Sequence, residues 1–231
     1  MKKIATSVLA LALLTLASSA FAANQVRISQ VYSGGGASSG TPSYIKDYVE
    51  LFNSGPTPVN IGDWVLEYGA AAGNWGSAAG NLFTIPTGTV IQPCAYLLVA
   101  TGAAGTLGAA VPSPDFTTTN MSMSATSGKV ALFNALNSNL ACGSELAGTL
   151  VDKVAWGTGN CPEVTAVAQP ANTATGMVRN VAGMTDTDNN VNDFTLTANP
   201  VPRNSLSPAN PVCAATPSNR NTWGQLKTLY R

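Results

Sequence analysis

The chain has 231 residues, no histidine, and eleven acidic against eleven basic side chains. Only 10% of its residues are charged, so the hydrophilic surface must rest on Ser, Thr, Asn and Gln. No Lys/Arg cluster lies in the body of the chain, which argues against nucleic acid as the main partner. The lack of His removes the commonest general base and metal ligand.

The N-terminus reads as a secretory signal. Lys2 and Lys3 precede a short apolar run, and Ala20-Phe21-Ala22 offers small residues where a signal peptidase cuts. Cleavage after Ala22 leaves residues 23–231, with nine basic side chains against eleven acidic ones. The apolar run is shorter than the ~20 residues of a membrane span, and no later stretch is long and apolar enough to be one. The expected location is therefore outside the cytoplasm, secreted or on the cell surface.

Short strand-like runs follow at 26–32, 47–53, 64–68, 82–85, 95–100, 129–134 and 150–156. Weaker ones lie at 177–180 and 194–196. β-branched and aromatic residues recur within these runs, and Gly, Pro and Asn separate them. In the first, strict alternation puts Val26, Ile28 and Gln30 on one face and Arg27, Ser29 and Val31 on the other. No amphipathic helical period persists, so the pattern predicts an all-β sandwich or barrel with long loops, at 69–80 and 101–110 among others. After Asn199, five prolines precede Asn221, which reads as an extended linker. Residues 222–231 place Trp223, Leu226, Leu229 and Tyr230 among Lys227 and Arg231. That segment reads as a peptide for an envelope partner, as a piece that docks on its own domain, or as a disordered end.

Four cysteines on an exported chain predict two disulfides. Of three connectivities, Cys142–Cys161 closes a local loop and Cys94–Cys213 ties the C-terminal segment to the sheet. Those are the pairs expected. A four-cysteine zinc site lacks the close pairs it needs.

Three stretches together resemble the lamin tail domain of exported bacterial proteins. They are Val26-Arg27-Ile28-Ser29-Gln30-Val31-Tyr32 before a Gly-rich loop, Tyr48-Val49-Glu50-Leu51-Phe52-Asn53, and Val59-Asn60-Ile61-Gly62-Asp63-Trp64-Val65-Leu66. The segment from Thr84-Ile85-Pro86 to Leu97-Leu98-Val99, the stretch Asp186-Thr187-Asp188-Asn189-Asn190 with Asp193-Phe194, and Asn199-Pro200-Val201-Pro202-Arg203-Asn204 extend the likeness to about residue 207. The resemblance implies an immunoglobulin-like β-sandwich over 23–207, a C-terminal linker and tail over 208–231, and a binding or attachment role. It brings no catalytic residues.

Candidate chemistry is sparse. Ser127-Gly128-Lys129 reads as a turn before a strand rather than a nucleophile and its base. Glu50 shares a face with Tyr48 and Phe52 and reads as a carboxylate satisfied by a neighbouring loop. Asn53 reads as a turn former. The alternating Asp186, Asp188, Asn190, Asn192 and Asp193 resemble half a calcium loop, without its Gly and its closing Glu. On that reading calcium is the cofactor, held by Asp186, Asp188 and Asn190; on the other, the residues form Asx-turns and there is no cofactor. Trp75 sits in a Gly/Ala/Ser loop and reads, with Tyr68, as an exposed stacking pair for a sugar or a protein pocket, or as a lid folded over the sandwich. The expected function is a non-catalytic module binding an extracellular or envelope protein or glycan. Its rivals are an accessory subunit of an extracellular hydrolase or nuclease, and a structural assembly subunit.

Overall fold

The computed structural model describes residues 25–213. The expected signal at 1–22 and the tail at 222–231 lie outside the described residues. The chain opens with β1 (Val26–Tyr32), β2 (Asp47–Asn53), the two-residue β3 (Val59–Asn60), β4 (Val65–Ala70) and β5 (Leu82–Thr84). Then come β6 (Val90–Ile91), β7 (Tyr96–Thr101), β8 (Phe116–Thr117), β9 (Gly128–Phe133) and β10 (Leu150–Trp156). β11 (Thr175–Arg179), the four-residue helix α1 (Asn190–Asp193) and β12 (Phe194–Ala198) complete the order.

The strands form an immunoglobulin-like β-sandwich. One sheet runs β12-β11-β1-β2-β7-β8, the other β10-β9-β4-β5, and β3 pairs with β6 apart from both. All pairings are antiparallel except β7 with β8. The core between the sheets takes Val49 and Leu51 from β2, Leu97 and Val99 from β7, Val130 and Leu132 from β9, and Val154 and Trp156 from β10. Their spacing of two is the alternation expected of strands with one face inward.

β1 departs from that alternation. Its register with β2 slips between Ile28 and Gln30, a bulge at Ser29. Val31 therefore joins Val26 and Ile28 in the core, and Gln30 turns outward. Strict alternation had assigned those two residues to the opposite faces. A second slip lies between Leu150 and Asp152 in β10.

The outer face of the large sheet is also covered. Tyr32, Tyr48, Leu98 and Ala100 pack there under Tyr44, and Phe52 stacks on Tyr96. The Pro-rich segment after β12 lies over this face as a strap rather than leaving as a linker. Tyr44 donates to the Pro200 carbonyl at 2.9 Å, Gln30 Nε2 to that of Val201 at 3.0 Å, and Asn210 N–H to that of Cys94 at 2.8 Å. Cys94–Cys213 pins the strap's end, and Cys142–Cys161 closes the short loop. These are the pairings expected from the sequence.

Candidate functional site

Most of the buried ionisable side chains gather in four places. The largest is the Arg179 cluster. Arg179 shares a strand face with Met177, which packs in the core, and Asp152 shares one with Val154 and Trp156. Each strand thus aims a charge inward, from opposite sheets. The two meet at 2.7 Å. The same Asp152 oxygen accepts the Ile28 N–H at 2.6 Å beside the β1 bulge, so β10 is bound to β1 and β11 at once. Arg179 also contacts Asp186 at 3.1 Å and Asp193 at 3.6 Å, and its guanidinium lies 4.5 Å over the Phe194 ring. Arg27 adds a second cation against Asp186, at 3.1 Å.

This arrangement also engages Asn190, one of the three residues of the calcium reading. Its side-chain oxygen accepts from the N–H groups of Ala155 and Glu163, and its amide donates to Lys153 O and Glu163 Oε2. Asn190 is buried, and both its amide oxygen and its amide nitrogen are bonded within the protein. Asp193 caps the 187–189 turn by accepting from Thr187 N–H, Thr187 Oγ1 and Asn189 N–H. Glu163, Asp186 and Asp193 do bring carboxylate oxygens within 4.8 Å of one another. The positive charge at that point is already supplied by Arg179. A divalent ion would have to compete with a buried guanidinium, which the donor set does not favour.

The second place is Glu50, fully buried on the outer face of β2. One oxygen accepts from Ser29 Oγ at 2.6 Å and Arg203 Nη2 at 2.7 Å. The other accepts from Gln30 Nε2 at 3.0 Å and the Arg203 N–H at 2.5 Å. Burial alone pushes its pKa up, and Arg203 pulls it back. The Arg203 guanidinium lies 3.9 Å from the Tyr96 ring centroid. Glu50 is thus the carboxylate satisfied by a neighbouring segment, and that segment is the strap.

The third place corrects the expectation for Trp75. The residue is not exposed; it is fully buried on the outer face of the small sheet with Ala131, Phe133 and Cys161. It meets the Phe133 ring edge-on at 5.8 Å and donates from Nε1 to Glu145 at 2.7 Å. Lys129 Nζ sits 5.0 Å from its ring and also bonds Gly73 O and Asn160 Oδ1. Desolvation lowers the Lys129 pKa. Tyr68 is not its stacking partner: it is buried in the main core, stacks on Trp156 and accepts from Ser124 N–H. Trp75 is therefore the lid, and neither residue presents a face to a ligand. Asn53, as expected, orders a turn: its amide donates to Thr57 O and Ile91 O, and its oxygen accepts from Gly55 N–H.

The fourth place is Asp47, which accepts from Gly35 N–H at 2.8 Å and Met123 N–H at 2.7 Å. Burial drives its pKa to about 7 despite those bonds. Glu163 rises to about 8 through burial and the neighbouring Asp152. Both native carboxyls hold protons to higher pH than the unfolded chain does. The native state therefore binds more protons between about pH 4 and 8, and stability falls as pH rises through that window. From pH 5.5 to 8.5, Asp47 alone costs roughly 2 kcal/mol at 1.36 kcal/mol per unit. For a domain of this size, thermal melts should show a Tm about 4–8 °C lower at pH 8.5. A flat or rising Tm would show that these carboxyls ionise normally.

A family model described as Lamin Tail Domain matches residues 19–158. The chain belongs to the lamin tail domain family. The match ends just after β10, so β11, β12 and the strap, with Arg179 and Arg203, lie beyond it. Among solved structures, a DUF4876 family protein from Bacteroides thetaiotaomicron is similar at TM-score 0.50 and 12% identity, over 80% of this chain and 74% of that one. At such identity the likeness concerns the fold alone. No curated protein matches this lamin tail domain chain.

Proposed function

We propose that this lamin tail domain chain is an exported, non-catalytic interaction module. Its sandwich acts as a rigid scaffold, its loops contact an extracellular or envelope protein or glycan, and its tail attaches it. The observation that carries this reading is how the buried charges are used. Glu50 fastens the strap, Asp152 and Arg179 join the two sheets, Lys129 holds the Trp75 loop, and Asp193 shapes a turn. Each joins chain segments to one another rather than facing a shared cleft. Two disulfides suit an oxidising compartment. Among the described residues, no helix is long and apolar enough to cross a membrane. With eleven acidic side chains and six basic ones over 25–213, the domain would repel a phosphate backbone.

Fractionation of the producing cells tests this. The intact chain is expected in the envelope fraction, and a chain lacking residues 222–231 in the medium. Intact protein recovered from the cytoplasm with reduced cysteines would refute export. Both forms free in the medium would refute attachment through the tail.

A further inference from the structure

One groove on the outer face of the large sheet is left open. It holds about 410 Å³ and is lined by Gln30, Val178, Ala182, Thr197, Pro200, Val201 and Arg203. Its lining is mainly apolar. Val181 and Val201 beside it are 56% and 75% exposed, whereas the Tyr32–Tyr48 and Phe52–Tyr96 clusters on the same face are buried. Apart from Gln30, every lining residue lies outside the span matched by the family model, so the groove belongs to this chain's own C-terminal elaboration.

The groove is preformed. Val181 and Ala182 both adopt left-handed backbone, at φ 51° and 54°, a conformation that costs a residue with a Cβ roughly 1–2 kcal/mol. Three donors hold it there: Tyr96 Oη at 3.0 Å, Asn210 Nδ2 at 3.1 Å and Arg203 Nη1 at 3.3 Å all reach the Ala182 carbonyl. The wall therefore keeps its apolar side chains outward without having to be ordered by a ligand.

We infer that residues 222–231 of the same chain dock in this groove, with Trp223 and its apolar neighbours against Val178, Ala182 and Val201. Three observations choose this occupant. First, the chain leaves the described domain beside the groove: Asn210 bonds the groove wall, and Cys213, three residues on, is locked to Cys94. Trp223 lies ten positions beyond Cys213, a reach of up to ~33 Å, ample for a domain whose radius of gyration is about 16 Å. Second, the segment places Trp223, Leu226, Leu229 and Tyr230 within eight residues, an apolar set suited to an apolar groove. Third, charge is segregated: all eleven acidic side chains lie in 25–213, while 214–231 carry Arg220, Lys227 and Arg231 and no acid. The domain's field thus attracts the segment. A tether this short supplies an effective concentration in the millimolar range, so even a weak contact is populated. The contact concerns where the tail rests, and goes beyond its use in attachment.

The test uses the full mature chain labelled with 5-fluorotryptophan and observed by fluorine NMR. Trp223→Phe assigns one resonance, and Trp64, Trp75 and Trp156 report on the fold. The Trp223 resonance is expected away from that of a free peptide of residues 222–231. Val201→Glu, at an exposed position, should move it to the free position and leave the other three unchanged. A Trp223 resonance at the free position in the native chain overturns the inference. So does a displaced resonance that ignores Val201→Glu. A displacement that vanishes on dilution would place the segment on a second copy, and also overturns it. The fractionation result is independent, because a docked tail can fail to attach and an attached tail can fail to dock.

Discussion

Replacing Arg179 with Met should be the most damaging single change in the domain. Met keeps the length and the apolar stem but removes the charge. Asp152 and Asp193 would then be buried carboxylates without a cation, and Asp186 would keep only Arg27. Removing one partner of a buried pair typically costs about 3–5 kcal/mol, because the remaining charge is stranded. For a domain of this size that lowers Tm by roughly 6–20 °C. The damage should be specific to charge. Asp152→Leu added to Arg179→Met should recover part of the loss, since a well-packed apolar pair often matches a buried ion pair. Full recovery is not expected, because the Ile28 N–H loses its acceptor. Circular dichroism melts of the wild type, both single variants and the double variant form a complete cycle. If Arg179→Met alone costs less than about 1 kcal/mol, the pair does not tie the sheets together.

That ion pair shows what the sequence could have revealed. Asp152 sits two residues from Val154 and four from Trp156, and Arg179 two from Met177. Once those apolar residues are assigned inward, the alternation carries a charge of each sign inward with them. Two inward charges of opposite sign on different strands predict a pair, because neither can be buried alone. The strands β1, β2 and β10 were legible to the residue, as runs in which β-branched and aromatic residues recur between turn residues. β3, β6 and β8 were not, since two residues are too few to show a period.

Other features were hidden by physics rather than by oversight. The Ser29 bulge has no strong local mark. It follows from the partner strand, where the Glu50 carboxylate captures the Ser29 hydroxyl. Trp75 looked exposed because its neighbours are Gly, Ala, Ser and Asn. What buries it comes from far along the chain: Lys129, Phe133, Glu145 and Cys161. The strap looked like a linker because Pro and Ser usually make one. Its hold on the domain depends on Arg203 reaching a carboxylate 153 residues earlier.

The strap's covalent lock yields the second large effect. Cys94 and Cys213 are 119 residues apart in sequence, and Cys142 and Cys161 only 19. A disulfide stabilises chiefly by restricting the unfolded chain, and more so for a longer loop. On that account the long bridge is worth about 4–5 kcal/mol and the short one about 3 kcal/mol. The Cys94→Ser/Cys213→Ser variant should therefore lose on the order of 10 °C in Tm, and Cys142→Ser/Cys161→Ser less. The native strap should barely notice, because Arg203 still holds Glu50 through its N–H and its guanidinium. Amide exchange at Arg203 should then slow or quicken only in step with global stability. If instead that amide exchanges freely while the core stays protected, the bridge acts on the native strap. The strap after β12 would then be a flap held by one bond.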